Sequence, residues 1–79
     1  MTIQKGSVVR ATAGRDKGGY FVVLGTEGSF AFIADGRRRK VQRPKKKNVC
    51  HLAPVNTVYE GSIETNPQIK KALREFNGG

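Results

Sequence analysis

The sequence predicts a small all-β domain, five short strands closed into a barrel, with one short helix at the C-terminal end. Three observations lead there. Apolar runs over residues 7–34 are only five or six residues long, rich in β-branched and aromatic side chains, and separated by glycine-bearing turns. Helical spacing marks the end of the chain, where Ile69, Ala72, Leu73 and Phe76 follow one another at i, i+3, i+4 and i+7. A chain of 79 residues buries only about 60% of its unfolded surface, which leaves room for one small core and one domain. Residues 1–60 are assigned to the barrel and 61–79 to a linker and helix of the same domain.

Taken in order, the first three strands are placed at 7–12, 20–25 and 29–34. Thr26, Glu27 and Gly28 form a compact link in which Gly28 takes the left-handed conformation of a three-residue hairpin loop. Asp35-Gly36 is the two-residue signal of a type I′ turn, so the chain is expected to reverse into a fourth strand over 37–42. Pro44 lacks a backbone donor and Lys45, Lys46 and Lys47 repel one another, which makes 43–48 an exposed loop. A fifth strand follows at 49–55. Asn66 is read as the helix N-cap, Pro67 as a first-turn residue, and Asn77-Gly78 as the stop. Five strands are too few for two full sheets, and an open sheet would expose unpaired edges, so closure into a barrel is the economical solution. The helix lies at one end of the barrel or alongside it, its apolar stripe sealing the core. Phe21, Phe30, Phe32 and Phe76 are assigned to that core and Cys50 is read as a small buried cysteine.

Charge is the dominant compositional feature. The chain carries 15 Lys and Arg against 6 Asp and Glu, a net of +9. Between Asp35 and His51 stand eight basic residues against one acid, so that segment holds +7 and the rest of the chain only +2. The eight are Arg37, Arg38, Arg39, Lys40, Arg43, Lys45, Lys46 and Lys47. A localised excess of this kind creates a positive field that attracts polyanions, whereas evenly spread charge would only keep the chain in solution. The competing readings are a solvated face and a short basic localisation signal.

A single cysteine excludes an intrachain disulfide, gives too few ligands for a thiolate zinc site, and favours a reducing compartment. The first residues hold no apolar run for a signal peptide, and the longest uninterrupted one, 20–24, falls far short of the roughly 18 residues a membrane span needs. The expectation is a soluble cytoplasmic protein without a membrane partner. Neither paired carboxylates, nor a nucleophile with its base, nor a metal-ligand set stands out, so no catalysis and no cofactor are expected.

The segment 14–19 is glycine-rich and carries Arg15, Asp16 and Lys17. Its exposed amides, together with Arg15 and Lys17, would approach a phosphate backbone closely. The alternative is a plain strand connection needing positive φ angles. It lacks the Gly-Lys-Ser/Thr end of a nucleotide-binding P-loop. Asp16 is expected to pair with Arg15 or Lys17, an exposed interaction worth about 0 to 1 kcal/mol. Tyr20 either stacks on an unpaired base or is half-buried core. His51 contacts a phosphate or ribose, or is a hydrogen-bonded surface residue; adjacent Cys50 and His51 on a strand point to opposite faces and cannot easily share a metal. Lys70, Lys71 and Arg74 occupy the polar face of the helix, where they extend an RNA footprint or touch a protein neighbour.

Lys5-Gly6-Ser7-Val8-Val9-Arg10, then Gly14-Arg15-Asp16-Lys17-Gly18 and Tyr20-Phe21-Val22-Val23-Leu24, resemble the KOW motif of RNA-binding SH3-like barrels, with Gly18 as the central glycine. KOW modules of transcription elongation factors place a second glycine three residues later, where this chain has Phe21. The order of Asp35-Gly36, the basic Arg38 to Lys40 and His51-Leu52 is similar to the ribosomal "fourteen-e" branch of the large subunit and to small bacterial KOW proteins. The resemblance covers about 3–57. It implies an SH3-like five-stranded barrel that binds RNA, ribosomal RNA above all, with ribosomal proteins as further neighbours, acting as a monomer when free. The site it and the charge pattern imply comprises Arg15, Lys17, Gly18, Tyr20, Arg37, Arg38, Arg39, Lys40, Arg43, Lys45, Lys46, Lys47 and His51. The alternatives are a transcription-associated or DNA-binding KOW module and an SH3-like protein-interaction module, the latter poorly served by a chain with no Trp and two Tyr.

Overall fold

Alternation along the strands sets the architecture. In the computed structural model, which describes residues 3–76, strand β1 (Ser7–Ala11) turns Val9 and Ala11 to one side and Val8 to the other, and all three are fully buried. A strand buried on both sides needs a layer on each face of its sheet. Among the described residues the sheet is completed by β2 (Tyr20–Glu27), β3 (Phe30–Ala34), β4 (Lys45–Asn48) and β5 (Leu52–Val58). All pairings are antiparallel and the order is β4-β3-β2-β1-β5. A three-residue 3₁₀ turn, Val49–His51, joins β4 to β5, and α1 (Asn66–Ala72) follows.

Register shifts bend the sheet between Val23 and Gly25 on β2 and between Ser7 and Val9 where β1 meets β5. The second of these lies beside Asn56, which adopts a φ of 63°. Curving in this way, the sheet encloses Val9, Ala11, Phe21, Val23, Ala31, Ile33 and Leu52. Its outer face carries Val8 and Val22, covered by Ile63, Ile69, Ala72 and Leu73. Of the two helix placements open from the sequence, the helix alongside is the one realised.

The helix is capped by Thr65, not Asn66. The Thr65 hydroxyl accepts from the Gln68 amide at 3.4 Å and the Gln68 side chain accepts from the Thr65 amide at 3.0 Å, a reciprocal capping box. Asn66 is used elsewhere: its side-chain oxygen accepts from the Val41 amide at 2.8 Å and its amide nitrogen donates to Gln42 at 2.9 Å. Pro67 stands in the first turn as expected. The proposed stop at Asn77-Gly78 lies outside the described residues.

The largest departure from expectation is the fourth strand. Residues 37–42 form no strand, because the Asp35 carboxylate accepts from the amides of Arg37 and Arg39 at 2.8 and 2.9 Å while the Arg39 carbonyl accepts from Asp35 and Gly36. The segment thus closes on itself as an Asx-type loop. A type I′ turn needs positive φ at both central residues, and here only Gly36 has it, at 79°. The strand forms instead at Lys45–Asn48, with Pro44 just before it, where a missing donor costs no ladder bond. The fifth strand starts three residues late because Asn48 caps the 3₁₀ turn, accepting from the Cys50 amide at 3.0 Å. Cys50 is therefore exposed rather than buried. Gly28 has the expected positive φ, 58°. Phe21 is core, Phe32 and Phe76 are half-buried, and Phe30, at 37% exposure, is not core at all. Among the described residues no helix is long and apolar enough to cross a membrane.

Gly36 sits directly on the helix: a Cβ there would lie 2.6 Å from the Asn66 carbonyl oxygen. Gly18 has a similar φ, 89°, but open space around it. Gly36→Ala is therefore expected to destabilise by about 1 to 3 kcal/mol and by clearly more than Gly18→Ala, which bears the backbone strain alone. Urea denaturation of the two variants checks this; equal losses would mean that the loop does not bear on the helix.

Candidate nucleic-acid interface

The closed loop after β3 and the start of β4 together enclose a concave surface. Arg38, Arg39, Arg43, Pro44, Lys45 and Lys46 line a cavity of about 470 Å³. The Asp35-closed turn presents Arg38 and Arg39, and a second turn, in which the Arg43 amide donates to the Lys40 carbonyl at 2.9 Å, brings Arg43 to the same hollow. Pro44 then fixes the entry into β4, whose first residues are Lys45 and Lys46. Arg37 and Lys40 are exposed on the same loop.

Two of the eight cations face inward. The Arg39 guanidinium grips Asp16 with both carboxylate oxygens, Nε to Oδ1 at 3.3 Å and Nη2 to Oδ2 at 3.1 Å. The Asp16 side chain is only 4% exposed and that of Arg39 27%. The expected partners of Asp16, Arg15 and Lys17, are both exposed on the turn and leave the carboxylate to a residue 23 positions away. Lys47, expected in an exposed loop, is 8% exposed. It lies opposite Ala31 on the inward side of β4, and its ammonium donates to the Ala13 carbonyl at 2.7 Å. Both contacts fasten the cationic loop and β4 to the 13–16 region. Six cations then remain exposed: Arg37, Arg38, Lys40, Arg43, Lys45 and Lys46. Lys46 also approaches Glu27 at 3.4 Å, with both side chains largely in solvent, a pair worth about 0 to 1 kcal/mol.

The second half of the glycine turn uses its amides as a strand connection. Lys17 donates to the Gly14 carbonyl, Gly18 to Ala11 at 2.8 Å and Gly19 to Asp16 at 2.9 Å, so these amides are committed within the protein. Gly14 and Gly18 supply the positive φ angles, 80° and 89°. Arg15 and Lys17 remain exposed and flank the Asp16–Arg39 contact.

Tyr20 is half-buried at the edge of the outer cluster, and its ring lies 5.4 Å from that of Phe76. His51 is exposed at the end of the 3₁₀ turn and does not line the basic cavity. Two further residues neighbour the site, Lys70, which the helix pattern offers as an extension of the footprint, and Phe30, which sequence reasoning assigns to the core. Lys70 of α1 abuts Gly36, its Cγ 3.0 Å from where a Cβ would stand, which sets a seventh cation beside the loop. Phe30 lies beneath the Lys46 ammonium, 4.8 Å from ring centroid to nitrogen. The signal for Phe30 was the alternation of Phe30 and Phe32 with Ala31 and Ile33, since only one of those two pairs can face the enclosed core. Among the described residues no three His, Cys, Asp or Glu side chains gather where a metal ion could be held, and every buried side-chain nitrogen and oxygen has a hydrogen-bond partner.

Because the carboxylate is buried and gripped by both guanidinium branches, Asp16→Asn is expected to lower stability by about 1.5 to 3 kcal/mol. Arg39→Lys is expected to lose much of the same energy, since an ammonium lacks the planar fork. A double-mutant cycle on Asp16→Asn and Arg39→Gln in chemical denaturation should return a coupling energy of at least about 1 kcal/mol. Additive losses would mean that the two side chains do not act as a pair. No protein-family model matches this chain, and no curated protein matches it.

Proposed function

We propose that this protein is a non-catalytic RNA-binding module of a ribonucleoprotein, the ribosome being the favoured setting, and that it docks on phosphates through the basic cavity. The observation that carries this reading is the convergence of Arg38, Arg39, Arg43, Lys45 and Lys46 on one concavity in which only Arg39 has a buried counter-charge. Cations held this close raise the free energy of the folded protein unless a polyanion joins them. A phosphate backbone supplies closely spaced negative charges, and each one neutralised releases a condensed counterion. Exposed Arg37 and Lys40 on the same loop, and exposed Arg15 and Lys17 on either side of Asp16 in sequence, widen the footprint. Such contacts fix position; sequence or shape selectivity comes from groove geometry, 2′-hydroxyls or unpaired bases.

The topology supports the SH3-like reading of the fold. Five antiparallel strands in one curved sheet, with the glycine turn between β1 and β2, agree with the small five-stranded fold that the KOW resemblance implies. Phe21, standing where transcription-type modules have glycine, is 3% exposed in the enclosed core, so the departure is accommodated by packing and not by a change in the turn.

The test keeps Arg39 intact, because replacing all of Arg37 to Lys40 would also remove the partner of Asp16 and mix stability with binding. The triple variant Arg38→Gln, Arg43→Gln, Lys45→Gln is expected to bind structured RNA more weakly. Its slope of log affinity against log salt should be reduced by about 2 to 3, with the thermal midpoint nearly unchanged. Filter binding across a salt series, with circular dichroism as the stability control, measures both. Unaltered affinity and slope would remove the cavity as the binding site. Co-sedimentation with ribosomal subunits at physiological salt and release at high salt is the expected behaviour of the wild type.

A further inference from the structure

We infer that Phe30 and Phe32 form a stacking platform for unpaired bases of the strand whose phosphates occupy the basic cavity. This deepens the proposed function and rests on it. Ala31 and Ile33 are fully buried in the enclosed cluster, so the alternating Phe30 and Phe32 belong to the outer face of β3. Phe30 is 37% exposed, Phe32 is half-buried, and neither takes part in either apolar cluster. A domain of this size ordinarily needs such groups in its core.

The surroundings select the occupant. On the outer face Gly25 of β2 and Lys46 of β4 stand opposite Phe32, and Glu27 and Asn48 stand opposite Phe30. A Cβ built on Gly25 would meet nothing within 4 Å, so the space beside Phe32 is open. The helix covers Val8 and Val22 on the same sheet and leaves this end bare. Lys46 is shared: its ammonium lies 4.8 Å from the Phe30 centroid, and it lines the basic cavity. An occupant must therefore present flat apolar groups to the rings and negative charge to the adjoining cations. A single-stranded nucleic acid does both along one chain, and RNA is the form the proposed function supplies. A duplex does not, because its bases are already stacked within it.

Anisotropy titrations with two labelled probes of about ten nucleotides separate the contributions, one an oligouridylate and the other a phosphodiester oligomer lacking bases. Wild type is expected to prefer the base-bearing probe by about 5- to 150-fold. Phe30→Ala should lose most of that preference with its salt slope unchanged, and Phe30→Tyr should keep it. Lys46→Gln should lower the slope by about 0.7 for both probes. Phe32→Ala is expected to follow Phe30→Ala; if it fails to fold, the exposed Phe30 alone decides. An undiminished base preference in Phe30→Ala would overturn the platform and leave phosphate docking standing, whereas absence of salt-dependent RNA binding in wild type would overturn both. Phe30-dependent binding of an apolar peptide, with no preference between the two probes, would assign the face to a protein partner and overturn the platform.

Discussion

The buried contact between Asp16 and Arg39 is the constraint on which the cationic surface depends. A carboxylate withdrawn from water destabilises the fold unless a cation with matching geometry meets it, and the guanidinium fork does so through both oxygens. The two residues come from different connections, one between β1 and β2 and the other between β3 and β4, so their contact fixes where the basic loop runs. Lys47 repeats the tie from β4 through the Ala13 carbonyl. Asp35 closes the loop on itself and Asn66 pins its far end to the helix. A segment without regular secondary structure, whose charges repel one another, is thereby held concave. Its cations are held in place by the fold itself, so the proposed docking would cost less ordering entropy.

The same economy shapes the rest of the molecule. Its buried apolar residues are almost all Val, Ala, Ile and Leu, and Phe21 is the one aromatic among them within the described residues. Small β-branched side chains fill a strongly curved sheet from within, and the short helix finishes the outer face over β1 and β2. Tyr20, Tyr59 and Phe76 border that helix. Phe30 and Phe32 are left on the uncovered end, next to the cations. Enclosed core and uncovered aromatic face thus share a sheet, with the alternation of β3 dividing one from the other.

Local signals in the sequence were enough for the first three strands, the left-handed Gly28 and the amphipathic helix, because each depends on neighbours a few residues away. The fourth strand was hidden by two competing local effects. Asp35-Gly36 reads as a hairpin, but the Asp35 carboxylate is taken by the following amides and the chain closes instead of reversing. The three lysines read as a repelling loop, yet in a strand successive side chains alternate between faces, and Lys47 turns inward to reach a carbonyl while Lys45 and Lys46 stay exposed. The accumulation of cations was plain from counting. Which of them would bind within the fold was not, because Asp16 had two adjacent basic residues and thirteen distant ones as candidate partners, and only tertiary geometry chose Arg39.

That choice bears on how a basic surface of this kind discriminates. Phosphate contacts alone would hold any nucleic acid, and screening would weaken them alike for all sequences. In the proposed complex the cavity fixes the backbone, and selectivity falls to whatever the strand places on the neighbouring aromatic face. Lys46 connects the two, since its side chain sets the ammonium over the Phe30 ring and the residue also lines the cavity. A strand that docks its phosphates and also turns a base outward onto that ring gains both interactions, and a regular duplex gains the first alone. The proposed complex therefore calls for RNA at a loop, bulge or junction, where a bent backbone and an unstacked base occur together.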